Sequence, residues 1–145
     1  MSDPFLRVIA ESINVPEVLR QVEDPGCGGR VFFLGVVRSK NGGETVEAVT
    51  YDAVAPLAVK VFQKLAAQAR ERWGQNLNIA VVHRTGRVNV GEAGVAVAVS
   101  APHRRQAFEA CAFLIDRIKV EAPIWKKEHY AGGPSRWLEG HPLVG

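Results

Sequence analysis

The sequence predicts an α+β fold: a mixed, largely antiparallel sheet with helices packed on one face. Three observations predict it. Two stretches, 56–73 and 102–119, repeat apolar residues at helical spacing. Several valine-rich runs of strand length are bounded by glycine-containing turns. The helical stretches and the strand runs follow one another in a mixed order. The element order reads βαββαβ(β)βα, followed by a strand-like tail.

Each element follows from local chemistry. Residues 5–12, FLRVIAES, read as a short first strand. In NVPEVLRQVED, 14–24, Asn14 supplies a helix cap and Pro16 sits in the first turn, where its missing N–H costs nothing. DPGCGG, 24–29, is a turn cluster. RVFFLGVV, 30–37, is an apolar strand, and ETVEAVTYD, 44–52, alternates as its expected neighbour. The polar, glycine-rich RSKNGG between them reads as a mobile loop. In the first long helix Leu57, Val61, Leu65 and Ala69 recur at a four-residue step, widened by Ala58, Phe62 and Ala66. Residues 77–101 give two or three strands, with Val95, Val97 and Val99 on one face. The second long helix carries Ala107, Phe108, Cys111, Leu114, Ile115 and Ile118 on one stripe.

The whole chain sets bounds on function. Its 145 residues suit a single domain over 1–145, large enough to bury a core without staples. No apolar run reaches about 18 residues, so no membrane span is expected. The first residues lack a basic segment before an apolar block, so a cytoplasmic location is expected. Cys27 and Cys111 lie far apart and outside any CxxC, which reads as two thiols. No His/Cys/Asp cluster has ligand spacing, so neither a metal nor a resident cofactor is expected. A net charge of +3 suits an anionic small molecule or an acidic partner.

Three places could carry chemistry. In SAPHRRQAF, His103, Arg104 and Arg105 open a helix, where the macrodipole disfavours cations unless an anion binds. An anion site and a solvated first turn both fit that motif. Arg38 ends an apolar strand beside the polar loop, a good position for an anion contact and also an ordinary surface one. His83 and Arg84, before a turn glycine, are read as fixing that turn. In KVEAPIWKKEHY, 119–130, Pro123 stops the helix and the backbone extends. Alternation then puts Trp125 and Lys127 on one side, Lys126 and Glu128 on the other. Trp125 is expected to anchor the strand in the core while Lys126 faces a cleft. A lysine near other cations has a lowered pKa and becomes a usable proton donor or acceptor.

Taken together these motifs resemble one family. The HR-x-G-x-x-x-x-G-E turn at 83–92, the S-x-x-H-R helix start at 100–104 and the K-x-x-x-P-x-W-K-x-E segment at 119–128 stand in order and spacing. With FFLGVVRSKNGGETVEAVTYDA upstream, the chain from about Arg30 to Trp137 resembles the large, catalytic subunit of molybdopterin synthase. The resemblance implies an α/β hammerhead fold and a sulfurtransferase of molybdenum-cofactor biosynthesis. The implied substrate is cyclic pyranopterin monophosphate (precursor Z), which receives two sulfurs to form a dithiolene. The implied donor is the thiocarboxylate at the C-terminal Gly-Gly of a small ubiquitin-like subunit, so no catalytic cysteine is required.

Residue by residue, the resemblance implies Arg38, His103 and Arg104 as anion-binding groups and Lys119 and Lys126 as the essential, catalytic lysines. Val36, Val37, Lys127 and Glu128 are implied to flank the pocket. Ser39, Lys40, Val54, Leu57 and Ile115 depart from the residues common in the family and alter the pocket wall. A helix from His103 to Lys119 separates its ends by roughly 24 Å at about 1.5 Å per residue, too far for one small substrate. A two-fold homodimer with composite sites is therefore expected, and a heterotetramer with one small subunit per site. Two rival readings are a basic nucleic-acid-binding module and a non-catalytic scaffold for a ubiquitin-like partner. The first requires a continuous cationic face with exposed aromatics, whereas here the cations sit at element ends, so no nucleic-acid partner is expected.

Overall fold

A computed structural model describes residues 2–133 and 135–137. In chain order the elements are β1 (Phe5–Ile9), α1 (Val15–Arg20), β2 (Gly29–Val36), β3 (Lys40–Asn41), β4 (Glu44–Ala53), α2 (Ala55–Trp73), β5 (Asn78–Arg84), β6 (Gly86–Asn89), β7 (Ala93–Ala101), α3 (Arg104–Glu121), β8 (Ile124–Tyr130) and β9 (Arg136–Trp137). The α+β class is as expected from the sequence, but the strands divide between two sheets.

The first sheet has the order β1-β5-β7-β2, with β1 parallel to β5 and the other pairs antiparallel. Residues Asn78 to His83 and Gly94 to Ala101 are buried without a break, the pattern of strands covered on both faces. One face meets α2 and α3, where Phe62, Leu65, Leu114 and Ile118 pack against Val81, Val97 and Val99. The other face meets α1 through Val18 and Val22, against Ala80, Val82, Ala96 and Ala98. The helices therefore cover both faces, not one. The small alanines at 80, 96 and 98 leave room for the short α1, whose cap is Asn14: its Oδ1 accepts the Glu17 N–H at 3.1 Å.

β4 does not lie beside β2, as its alternating pattern had suggested. β7 holds the partnered edge of β2 from Gly29↔Ala101 to Val36↔Ala93. β4 instead builds a second sheet with β8 on one side and β3 and β6 paired along different stretches; β9 extends it beyond β8. The RSKNGG segment is part of that sheet rather than a free loop. Gly42 and Gly43, at φ of 59° and 84°, make the two-residue turn that joins β3 to β4. Such turns need positive φ at both central positions, which glycine adopts without strain.

Two stripe assignments shift by about one residue. On α2 the buried face is Ala58, Phe62, Leu65, Ala66 and Ala69, while Leu57 is 52% exposed. On α3 Ala110 joins the buried face and Phe108 is 60% exposed. α3 begins at Arg104 with His103 as its cap residue, so Pro102 lies outside the helix rather than in its first turn.

Candidate active site

The end of β2 delivers Val36 and Val37 to the rim of a small cavity, and Arg38 follows directly. Asn41 and Lys40 come from β3, Val46, Val49 and Tyr51 from β4, and Lys126 and Glu128 from β8, around a volume of about 60 Å³. Register explains the convergence. β8 pairs with β4 so that Lys126 stands opposite Tyr51 and Glu128 opposite Val49. Ile124, two residues before Lys126, is fully buried and anchors this face of β8.

The tryptophan expectation was wrong. Trp125 is 41% exposed, because the alternation that turns Ile124, Lys126 and Glu128 inward turns Trp125 outward beside Asp52. The aliphatic Ile124 does the anchoring. Lys127 likewise lies on the outer side of β8, where its charge acts on His129, and not among the cavity-lining residues.

Electrostatics single out Lys126. The Lys126 amine is half-buried, and burial pulls its pKa below the ordinary 10.5. Nearby Glu128 opposes that shift, while the positive charges of Lys119 and Arg38 add to it. Lys119, exposed on the last turn of α3, thus sits within electrostatic reach of Lys126 together with Arg38. The site gathers Val36, Val37, Arg38, Lys119, Lys126 and Glu128. It does not gather His103 and Arg104. These open α3, and an 18-residue helix places them roughly 27 Å from its far end.

Sequence reasoning missed Tyr51 and Asn41. Tyr51 lines the cavity from β4, and burial, then the charge of Glu128, raises its pKa above 10.0. The Tyr51 ring meets the His83 ring edge-on at 4.9 Å and 79°. A usable signal was Gly94: a Cβ there would stand 2.8 Å from the Tyr51 ring, so the glycine in GEAGVAV is required by the ring. Asn41 binds Glu128 from the β3–β4 turn, a contact no local pattern encodes.

His83 itself is structural, as its place before a turn suggested. It is buried, and its Nδ1 donates to the Arg84 carbonyl at 2.9 Å. Burial lowers its pKa from 6.5 to about 4. Between those values the unfolded chain takes up a proton that the folded one refuses. Stability is therefore fullest above pH 6.5 and falls as the pH drops toward 4, by about 3 kcal/mol from this group. Denaturant melts across that window should show the slope. His83→Phe should flatten it even if it lowers stability throughout.

Larger hollows exist, about 710 Å³ beside Arg70 and 410 Å³ beside Asn78, but they lack a set of available cations. The Arg70 guanidinium is engaged by the carbonyls of Leu77 and Ser2. Among the described residues no group of His, Cys, Asp or Glu could hold a metal ion. No helix among them is long and apolar enough to cross a membrane.

The chain is similar to proteins of one family. The model of the MoaE protein family matches residues 8–121. A molybdopterin synthase catalytic subunit from a Nostoc strain is 39% identical over 126 residues, covering 87% of this chain and 76% of that one. The molybdopterin synthase catalytic subunit 1 of Mycobacterium tuberculosis is 36% identical, covering 96% of this chain and 93% of that one. A crystal structure of molybdopterin synthase from Staphylococcus aureus superposes with a TM-score of 0.86 at 32% identity, covering 92% and 96% of the two chains. With the family model matching most of its length, the chain belongs to the MoaE protein family.

Proposed function

We propose that this chain is the catalytic subunit of a molybdopterin synthase. It inserts two sulfurs into cyclic pyranopterin monophosphate, taking each from the C-terminal thiocarboxylate of a small ubiquitin-like subunit. Family membership supports the reaction. The observation that carries the assignment of residues is the half-buried Lys126, held among Arg38, Lys119 and Glu128 at a cavity mouth.

The chemistry fits those groups. Arg38 offers fixed donors for a phosphate whose charge moves as its ring opens. Replacing oxygen by sulfur at carbon requires protonation of the departing oxygen, and Lys126 and Lys119 are the donors in reach. A cavity of about 60 Å³ is far smaller than the pockets that enclose small ligands. The missing wall comes from a second copy. In a two-fold homodimer His103 and Arg104 of the neighbouring protomer complete the anion site, which leaves the first turn of α3, without acidic residues, free to meet the phosphate. Val36 and Val37 shape the entrance, and Lys127, on the outer side of β8, attracts the anionic donor tail. A small subunit at each site makes a heterotetramer. Both cysteines are free, which suits a reducing, cytoplasmic setting.

The test is reconstitution. Purified protein, thiocarboxylated partner and precursor Z should yield the dithiolene product; its absence with folded, partner-bound protein contradicts the reading and leaves the scaffold alternative. Thiols take no part. Cys111 is buried, with its pKa pushed up by burial to about 11, and Cys27 donates to the Asn76 carbonyl away from the cavity. The Cys27→Ser/Cys111→Ala double variant should keep turnover within about threefold, as expected for groups outside the chemistry. Loss of activity in the folded variant would contradict a thiocarboxylate donor.

A further inference from the structure

Glu128 is 4% exposed and sits two residues from Lys126 on the same face of β8. A buried carboxylate beside an ammonium normally pairs with it. Here it does not. Both carboxylate oxygens accept from one group, the Asn41 side-chain amide, at 2.9 Å each. Among the described residues no ion pair joins Lys126 to Glu128, whose charge reaches the lysine only through space.

We infer that Asn41 is a positioning residue for Lys126: by holding both oxygens of Glu128 it keeps the buried carboxylate off the ammonium, and it latches the β3–β4 hairpin over the cavity. The inference rests on the sulfur-transfer reading for its purpose, but not for its geometry. A neutral donor is the right group for the task. It satisfies the carboxylate without adding charge, whereas a lysine or arginine at 41 would neutralise Glu128 and alter the field at Lys126. Asn41 can reach because Gly42 and Gly43 turn the hairpin back, while Lys40 is held by its Nζ–Thr45 Oγ1 bond of 3.0 Å.

The groups facing Lys126 determine how it responds when the latch is lost. They are Glu128 on β8, Tyr51 on β4 with His83 behind it, Arg38 and Lys40 from the β2–β3 segment, and Lys119 on α3. Only Glu128 would carry a negative charge at neutral pH. Released from Asn41, it turns to the nearest ammonium, stabilises the protonated form and draws Nζ from its place.

The experiment monitors Lys126 directly in the full-length protein, by NMR titration of isotopically labelled lysine assigned through Lys126→Arg. Asn41→Ala should raise the Lys126 midpoint by about one pH unit, and the same substitution on a Glu128→Gln background should leave it nearly unmoved. If alanine at 41 prevents folding, Asn41→Leu, similar in size, neutral and unable to donate, must move the midpoint upward as well. An unchanged midpoint in the single variant, or an equal shift on both backgrounds, overturns the latch. The titration needs no substrate. A shift seen in a protein that makes no dithiolene supports the latch while removing the proposed reaction; dithiolene formation without the shift removes the latch alone.

Discussion

Lys126→Ala lowers the rate of dithiolene formation by roughly a hundredfold or more, the usual contribution of a positioned proton donor. The fold survives, because the half-buried lysine lines a cavity and the same face of β8 is anchored by fully buried Ile124. Lys126→Arg does not restore the rate: guanidinium keeps the charge but cannot give up its proton near neutral pH. The pH profile carries the sign. Burial and the neighbouring cations lower the Lys126 pKa below 10.5, so the protonated form is complete at low pH and lost as pH rises through the lowered value. The alkaline limb of turnover should therefore lie below the range of a surface lysine, and Lys119→Ala, which removes one of those cations, should move the Lys126 titration midpoint upward when followed by NMR. Single-turnover rates across pH, on protein checked for folding, decide the point. A Lys126→Ala protein within a few-fold of wild type would remove this lysine from the chemistry.

Two inactive variants restore one another when mixed. His103→Ala/Arg104→Ala protein lacks the N-terminal group of α3, and Lys119→Ala protein lacks the C-terminal one. No single chain can bring both to one substrate, since the helix holds His103 and Lys119 roughly 24 Å apart at about 1.5 Å per residue. In a mixed dimer one of the two sites takes Arg38, Lys119 and Lys126 from one chain and His103 and Arg104 from the other, all intact. Random exchange of equal amounts makes half the dimers mixed, so about a quarter of wild-type activity returns. Demonstrated exchange with no recovery, or full activity in a monomer, would exclude the composite site.

Much of this was legible in the sequence because local chemistry wrote it there. The caps and turns of α1, the four-residue rhythm of α2 and the proline before β8 each depend on neighbours within one or two turns of chain. The alternation of β8 was also readable, and it placed Lys126 and Glu128 together. Which face was inner was not readable. That depends on Ile124 meeting the core and on Tyr51 of β4 pairing with Lys126 of β8, both long-range facts, and tryptophan's size argued for the wrong side. The division into two sheets was hidden for the same reason. An apolar run such as β2 fits beside β4 or β7 equally well, and the alanines that admit α1 on the second face look like weak strand residues. Asn41 was invisible because its partner lies 87 residues away.

Isotope tracing of the transferred sulfur tests the thiocarboxylate route most directly. The wild-type chain is mixed with a small partner whose terminal thiocarboxylate carries heavy sulfur, and the product and the protein are weighed by mass spectrometry. A thiocarboxylate donor gives a product with heavy sulfur at both dithiolene positions and no label on Cys27 or Cys111. Label retained on either cysteine, or a product whose sulfurs are light, would contradict it.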